Sequence, residues 1–214
     1  LAECESNFIK LKKIKCFDNG THLALTKFEK FCEFKNMETS FYLLLVIAHL
    51  GVFDVLYFHI YKCKLHLRPE CQREVFWHVC RHLIYALQFI CVANFRFHGL
   101  ALVFLFVLYA CDVFVAWADV WEENASRKAQ GGLPRGEYFM HVVLSVLVGL
   151  YMMATFQAVW SDRNLATAIV YAPPQIPFIL QIYMTAMGII AFLNFFYDLY
   201  KWLNFQPKNV EVNT

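Results

Sequence analysis

The chain has 214 residues, of which 59% are hydrophobic and 18% aromatic, and its mean hydropathy is +0.44. That is the composition of a membrane protein and not of a soluble domain. A formal net charge of only +2 excludes nucleic acid as an implied partner.

Residues 1–40 form a polar region with seven Lys and six acids, a mixed surface and not a basic arm. They lack the basic, apolar and small-residue succession of a secretory signal. The chain begins at Leu1 and not Met, so a segment upstream is expected. Within this region, residues 22–35 place Leu23, Leu25, Phe28, Phe31 and Phe34 near helical spacing. Such a helix could lie on the membrane, on a partner or against its own bundle.

Five apolar runs follow, at about 41–61, 75–95, 99–121, 138–160 and 176–203. Each is long enough to cross a ~30 Å hydrocarbon layer at ~1.5 Å per residue. Backbone groups in lipid must be satisfied internally, so the runs are expected to be helices. The fold class is therefore all-α: five transmembrane helices (41–203), the first four an antiparallel bundle, then a C-terminal tail (204–214).

Run one carries Asp54 and His59 near its end, and run two opens with Glu74 and His78. Run three ends with Asp119, Glu122 and Glu123, and run four opens with Glu137 and His141. Consecutive spans alternate direction, so all these groups come to one membrane level. Charge inside a membrane is costly, and a cluster of it is a functional signal. Run five starts after Pro173, Pro174 and Pro177, which suit a helix start. It ends in Tyr197, Tyr200 and Trp202, an interfacial belt, with Asp198 and Lys201 spaced for a local pair. It reads as a structural or partner-facing helix.

Short-loop cations set the orientation. Lys62, Lys64, Arg68 and Arg73 follow run one, and Arg127, Lys128 and Arg135 follow run three. The other side has Arg96 and Arg163. The polar cluster is thus expected on the cytosolic, matrix or stromal side, although the Lys of residues 1–40 oppose this. Eight Cys are present (4, 16, 32, 63, 71, 80, 91 and 111), with no C-x-x-C pair. They are expected to be mostly reduced thiols, though Cys63 and Cys71 share a loop and could pair.

A weak repeat links the two halves of the cluster. Asp54, a loop with Pro69, then Glu74-Val-Phe-Trp-His78 is one unit. Asp119, a loop with Pro134, then Glu137-Tyr-Phe-Met-His141 is the other. Glu and His four apart lie ~40° apart on a helix, one turn displaced, so both can reach one metal or two adjacent ones. Asp112, Asp119 and Glu123 form a stripe on run three, and His82 lies one turn beyond His78. Asp54 would sit ~140° from both His49 and His59 on a regular α-helix and need not share their face.

Carboxylates and imidazoles from four antiparallel helices resemble, in architecture, the di-metal carboxylate four-helix proteins. The likeness implies two iron or manganese ions, and zinc would also fit. It implies Glu74, His78, Asp119, Glu123, Glu137 and His141 as ligands, with Asp54 and His59 as ligands or support. The departure is E-x-x-x-H where that class uses E-x-x-H. Trp121-Glu-Glu-Asn-Ala-Ser-Arg127 and Leu133-Pro-Arg-Gly-Glu-Tyr-Phe-Met-His141 also resemble a pattern in small multi-pass bacterial membrane proteins of unassigned function, strongest over 119–141. That resemblance carries no activity.

Two classes fit. One is an oxidoreductase with a dinuclear centre near the interface, acting on a lipid or quinone, in which Arg127 could orient a carboxylate or bind a headgroup. The other is a non-catalytic subunit of a larger membrane assembly, respiratory or otherwise energy-transducing, with protein contacts through residues 1–40 and helix five. The bland account makes Glu74 and Glu137 helix-start acids and the loop charges a solvated interface. A proton or ion pathway would use Asp112 and Asp54 as stations. Haem is disfavoured, because His49 sits mid-span while His78, His82 and His141 lie toward one end.

Overall fold

In the computed structural model, residues 19–206 are described, with side chains from Met37 onward. Residues 1–18 of the polar N-terminal region and 207–214 of the tail lie outside them. The first helix, α1 (Asn19–Asp54), continues as a π-helical segment, Val55–Lys62. Then come α2 (Gln72–Asn94), α3 (Leu102–Ser126), α4 (Arg135–Val159) and α5 (Phe178–Leu203). Five stretches are long and apolar enough to cross a membrane: Met37–Lys62, Pro69–Asn94, Gly99–Ser126, Arg135–Asn164 and Phe178–Leu203. All five apolar runs are therefore helical. Helix α1 is uninterrupted from Asn19, so residues 22–35 extend the first span and are not a separate helix.

Packing pairs α1 with α4 and α2 with α3, and sets α5 along α2. The shared core includes Phe41, Leu44, Phe89, Leu105, Tyr151 and Met184, contributed by all five helices. Helices in lipid associate by close packing of this kind, because lipid is as apolar as the side chains. The α2–α5 approach depends on Gly188: a methyl group there would lie 2.8 Å from Ile90 Cγ1 and 3.1 Å from the Ala86 carbonyl oxygen. Helix five is thus structural on that face. Its opposite face exposes Ile182, Ile189, Leu193 and Phe196, as lipid contact requires. Asp198 turns to His82 at 3.1 Å, and Lys201 stacks 4.3 Å over the Tyr197 ring.

The two ends of the bundle are closed differently. At one end a two-stranded antiparallel ribbon, β1 (Phe95–His98) with β2 (Ala168–Tyr171), ties the α2–α3 turn to the α4–α5 connection. Sequence patterning gave no sign of it, because each strand is only four residues long. At the other end, residues 63–71 and 127–134 are short loops with 3-10 turns. Gly131 and Gly132 take φ of +85° and +102°, a region that favours glycine.

Candidate functional site

The site begins where α1 stops being an α-helix. Over Val55–Lys62 the backbone bonds run from residue i to i+5, and the Cys63 N–H closes the segment on the Phe58 carbonyl at 2.8 Å. Residues five apart then stack on one face, where a regular helix would separate them by ~140°. Asp54 and His59 are five apart, and His59 Nε2 lies 3.5 Å from Asp54 Oδ2. Asp54 and His59 thus share a face, a point that regular α-helical geometry left open.

The other three helices supply the rest. Helix α2 presents Glu74, His78 and Arg81 at successive turns of one face. Helix α3 presents Asp119 and Glu123 on its buried stripe, and α4 presents Glu137 and His141. The two repeat units exchange partners. Asp54 of the first unit meets His141 of the second, Nε2 to Oδ2, at 3.2 Å. Asp119 of the second unit meets His78 of the first at 3.4 Å. His59 Nε2 also stands 3.2 Å from Glu137 Oε1, and His78 Nε2 stands 3.7 Å from Glu74 Oε1. His141 Nδ1 faces Glu123 Oε1 at 2.8 Å, and Arg81 donates to Asp119 at 3.1 Å. The His59 ring centroid is 4.3 Å from that of His78 and 6.1 Å from that of His141.

Beneath these imidazoles lies Arg127, whose side chain has no solvent exposure. Its guanidinium donates to Glu74 Oε2 at 2.5 Å and, through its other terminal nitrogen, to Glu137 Oε1. Ser126 Oγ donates to the same oxygen of Glu74. Burial works against the Arg127 charge, but Glu74 and Glu137 outweigh it and hold the group more firmly protonated than usual. Enclosed in this way, Arg127 orients two carboxylates and has no donor facing a headgroup. Cys63 Sγ sits 3.8 Å from Glu137 Oε2; burial first, then the Glu137 charge, pushes its thiol pKa up. The five described cysteines are free, Cys63 and Cys71 being packed together with Leu65.

Bonding is incomplete here, and charge balances only if all three imidazoles are protonated. Five carboxylates (Asp54, Glu74, Asp119, Glu123, Glu137) face two guanidinium groups and three imidazoles, and all five acids are nearly or fully buried. With neutral imidazoles, three negative charges lack compensation. Buried charges persist only when paired or on a metal. Asp54 Oδ1, both His59 nitrogens, Glu74 Oε1, His78 Nε2, Asp119 Oδ1 and Glu123 Oε1 make no hydrogen bond among the described residues, even where ion-pair distances are short. Two subsets bring ligand atoms within 4.8 Å of one another: Asp54, His59 and His141, and His59, Glu74 and His78. His59 belongs to both. Two ligands each ~2.1 Å from one ion, at a near-tetrahedral angle, stand ~3.4 Å apart. The carboxylate–imidazole distances of 3.2–3.7 Å among these residues bracket that spacing.

All eight residues singled out in the sequence therefore lie in one cluster. Glu122 does not join it and forms an open pair with Arg73 at 3.9 Å, as the solvated-interface account expects. His49 is engaged by Tyr183, 2.9 Å from its hydroxyl, and His82 by Asp198. Asp112 lies deeper, hydrogen-bonded to Gln88. Sequence reading missed Arg81, Ser126 and Cys63. Arg81 carried a signal, being seven residues from Glu74 and three from His78, on the same helical face. No protein-family model matches the chain, and no curated protein or solved structure is significantly similar to it.

Proposed function

We propose that the cluster is a dinuclear metal centre, with iron, manganese or zinc held by Asp54, His59 and His141 on one side and by His59, Glu74 and His78 on the other. Asp119, Glu123 and Glu137 complete or orient the two sets. The observation that carries this reading is the row of buried oxygens and nitrogens without hydrogen bonds, spaced as ligands of a common ion. Iron or manganese would supply one-electron chemistry, and zinc would supply Lewis-acid chemistry. Arg127 fixes the positions of Glu74 and Glu137 without itself facing the ions.

The site lies inside the ends of four spans, so its substrate enters from the bilayer or the interface. The proposed activity is oxidation or reduction of a lipid or quinone, on the cytosolic, matrix or stromal side where the short-loop cations lie. His78 and His141, each with 13% of the side chain exposed, are the open edge. A second reading makes the chain an accessory subunit of an energy-transducing membrane complex. The enclosed Arg127–Glu74–Glu137 bridge favours it, because such a bridge is a structural device in its own right.

Plasma mass spectrometry of the purified protein separates the two. The metal reading expects about two equivalents per chain, none in His59→Ala and about one in His141→Ala. Metal-free wild-type protein from metal-replete cells would leave only the subunit reading.

A further inference from the structure

The cluster is one end of a longer polar series through the bundle. On α2, Glu74, His78, Arg81, Tyr85 and Gln88 alternate spacings of four and three, which keeps them on one face. Helix α3 faces them with Asp119, Asp112 and Tyr109, and α4 adds Tyr151 and Thr155. Asp112 is 2% exposed and sits about 21 Å along the helix from Ser126, near mid-bilayer. No cation comes within ion-pair distance of it among the described residues. Its one described partner is Gln88, whose amide nitrogen donates to Oδ2 at 2.9 Å. Gln88 is fully buried, and its own carbonyl oxygen lacks a donor. A protonated Asp112 carboxyl would remove an unpaired charge from the membrane centre and offer an O–H to the Gln88 side chain, whose amide it already meets.

The series continues beyond Asp112. One turn further, the Tyr109 hydroxyl donates to the Tyr151 hydroxyl at 3.0 Å, with both rings buried. Thr155 is the next turn of α4. It borders a void of about 10 Å³, room for about one water, which is also lined by Arg96, Cys91 and Phe97. Arg96 is paired with Asp162 at 2.6 Å, beside the β ribbon at the opposite end.

We propose that this series is a transmembrane proton path, running from Asp162 past the water-sized void beside Thr155, whose own hydroxyl donates to the Tyr151 carbonyl oxygen at 2.9 Å, through the Tyr151 and Tyr109 hydroxyls to Asp112, and on to the cluster beside Arg81. A proton arriving from the ribbon side reaches the Asp112 carboxyl when the hydroxyl pair reverses: Tyr109, which here donates to Tyr151, turns to donate to Asp112, and Tyr151 donates to Tyr109 in its place. Release toward the cluster leaves the Asp112 carboxylate, which Gln88 solvates through its amide N–H. Arg81 keeps its own proton, and its charge favours the transient carboxylate. The path goes beyond the metal reading and stands whether or not the cluster holds an ion.

The test uses the full chain reconstituted in phospholipid vesicles containing a pH-sensitive dye, with a potassium diffusion potential driving proton entry. Wild type should acidify the vesicles well above empty controls, and Asp112→Asn and Tyr151→Phe should each lower the protein-dependent rate by about tenfold or more. Asp112→Asn keeps the Gln88 contact and removes the titrating proton. Asp198→Asn, outside the series, should match wild type. Wild-type flux equal to that of empty vesicles, or flux retained in either Asp112→Asn or Tyr151→Phe, overturns the proposal. Should one variant fail to elute as a single species in detergent, the other decides. Metal content in Asp112→Asn should equal that of wild type, so failure of the path and failure of the metal site read out separately.

Discussion

The two ends of this bundle both bury charge, and they handle it in opposite ways. At the ribbon end, Arg96 meets Asp162 through two nitrogens, with His98 3.6 Å from the same carboxylate. Asn94 donates to Thr185, and Gln181 donates to both Asn94 and Tyr171. No buried side-chain atom there lacks a partner among the described residues. At the cluster end, acids outnumber guanidinium groups, and although His141 and Asp54 are hydrogen-bonded, several other buried carboxylate and imidazole atoms, and the Nε of Arg81 and of Arg127, lack a hydrogen bond among the described residues. Polar groups that serve only stability are normally satisfied, so groups left unsatisfied point to something further that binds them. The proposed metal centre therefore rests on the cluster end, and the ribbon end offers no comparable set of atoms among the described residues.

The largest effect should come from breaking the charge bridge beneath the cluster. Arg127→Met leaves Glu74 and Glu137 buried without a counter-charge and should cost ~3–5 kcal/mol, read as a large fall in the unfolding midpoint in detergent. Adding Glu74→Gln and Glu137→Gln to that variant should recover most of the loss. A minor effect of Arg127→Met alone would mean that the cluster end is as self-sufficient as the ribbon end.

His59→Ala should remove bound metal at a stability cost below that of Arg127→Met, whereas His98→Ala at the ribbon end should leave metal content unchanged. Equal metal content in wild type and His59→Ala would dissolve the distinction between the ends. Asp162→Asn should cost about 1–3 kcal/mol, by removing the carboxylate that Arg96 grips through two nitrogens, and should leave metal content unchanged. The smallest change concerns Cys63. Because burial and Glu137 raise its pKa, its thiolate appears only at higher pH than for an ordinary thiol. Its alkylation should therefore rise about tenfold per pH unit through pH 8–9, without levelling near the ordinary thiol pKa. A plateau near that pKa would remove Glu137 from its surroundings.

Amino-acid order alone specified the five spans, because apolar runs of this length have one stable state in lipid, the helix. It also determined that the acids and histidines share one level, since alternation of direction leaves no other arrangement. The repeat spacing of Glu74–His78 and Glu137–His141 put each pair on one face, and the Asp112–Asp119–Glu123 stripe marked the inward side of α3. Other features depend on contacts between segments. The π-helical turn after Asp54 buries only Phe58, beside Gly136, and His59, within the cluster, and periodicity gave no sign of it. The exchange of partners between repeat units, Asp54 with His141 and Asp119 with His78, follows from which helices become neighbours. Arg127 reads in sequence as one more loop cation near the interface; only the closure of Glu74 and Glu137 around it takes its charge out of water. The ribbon joining residues 95–98 to 168–171 is likewise a long-range pairing, specified by geometry and not by either four-residue strand.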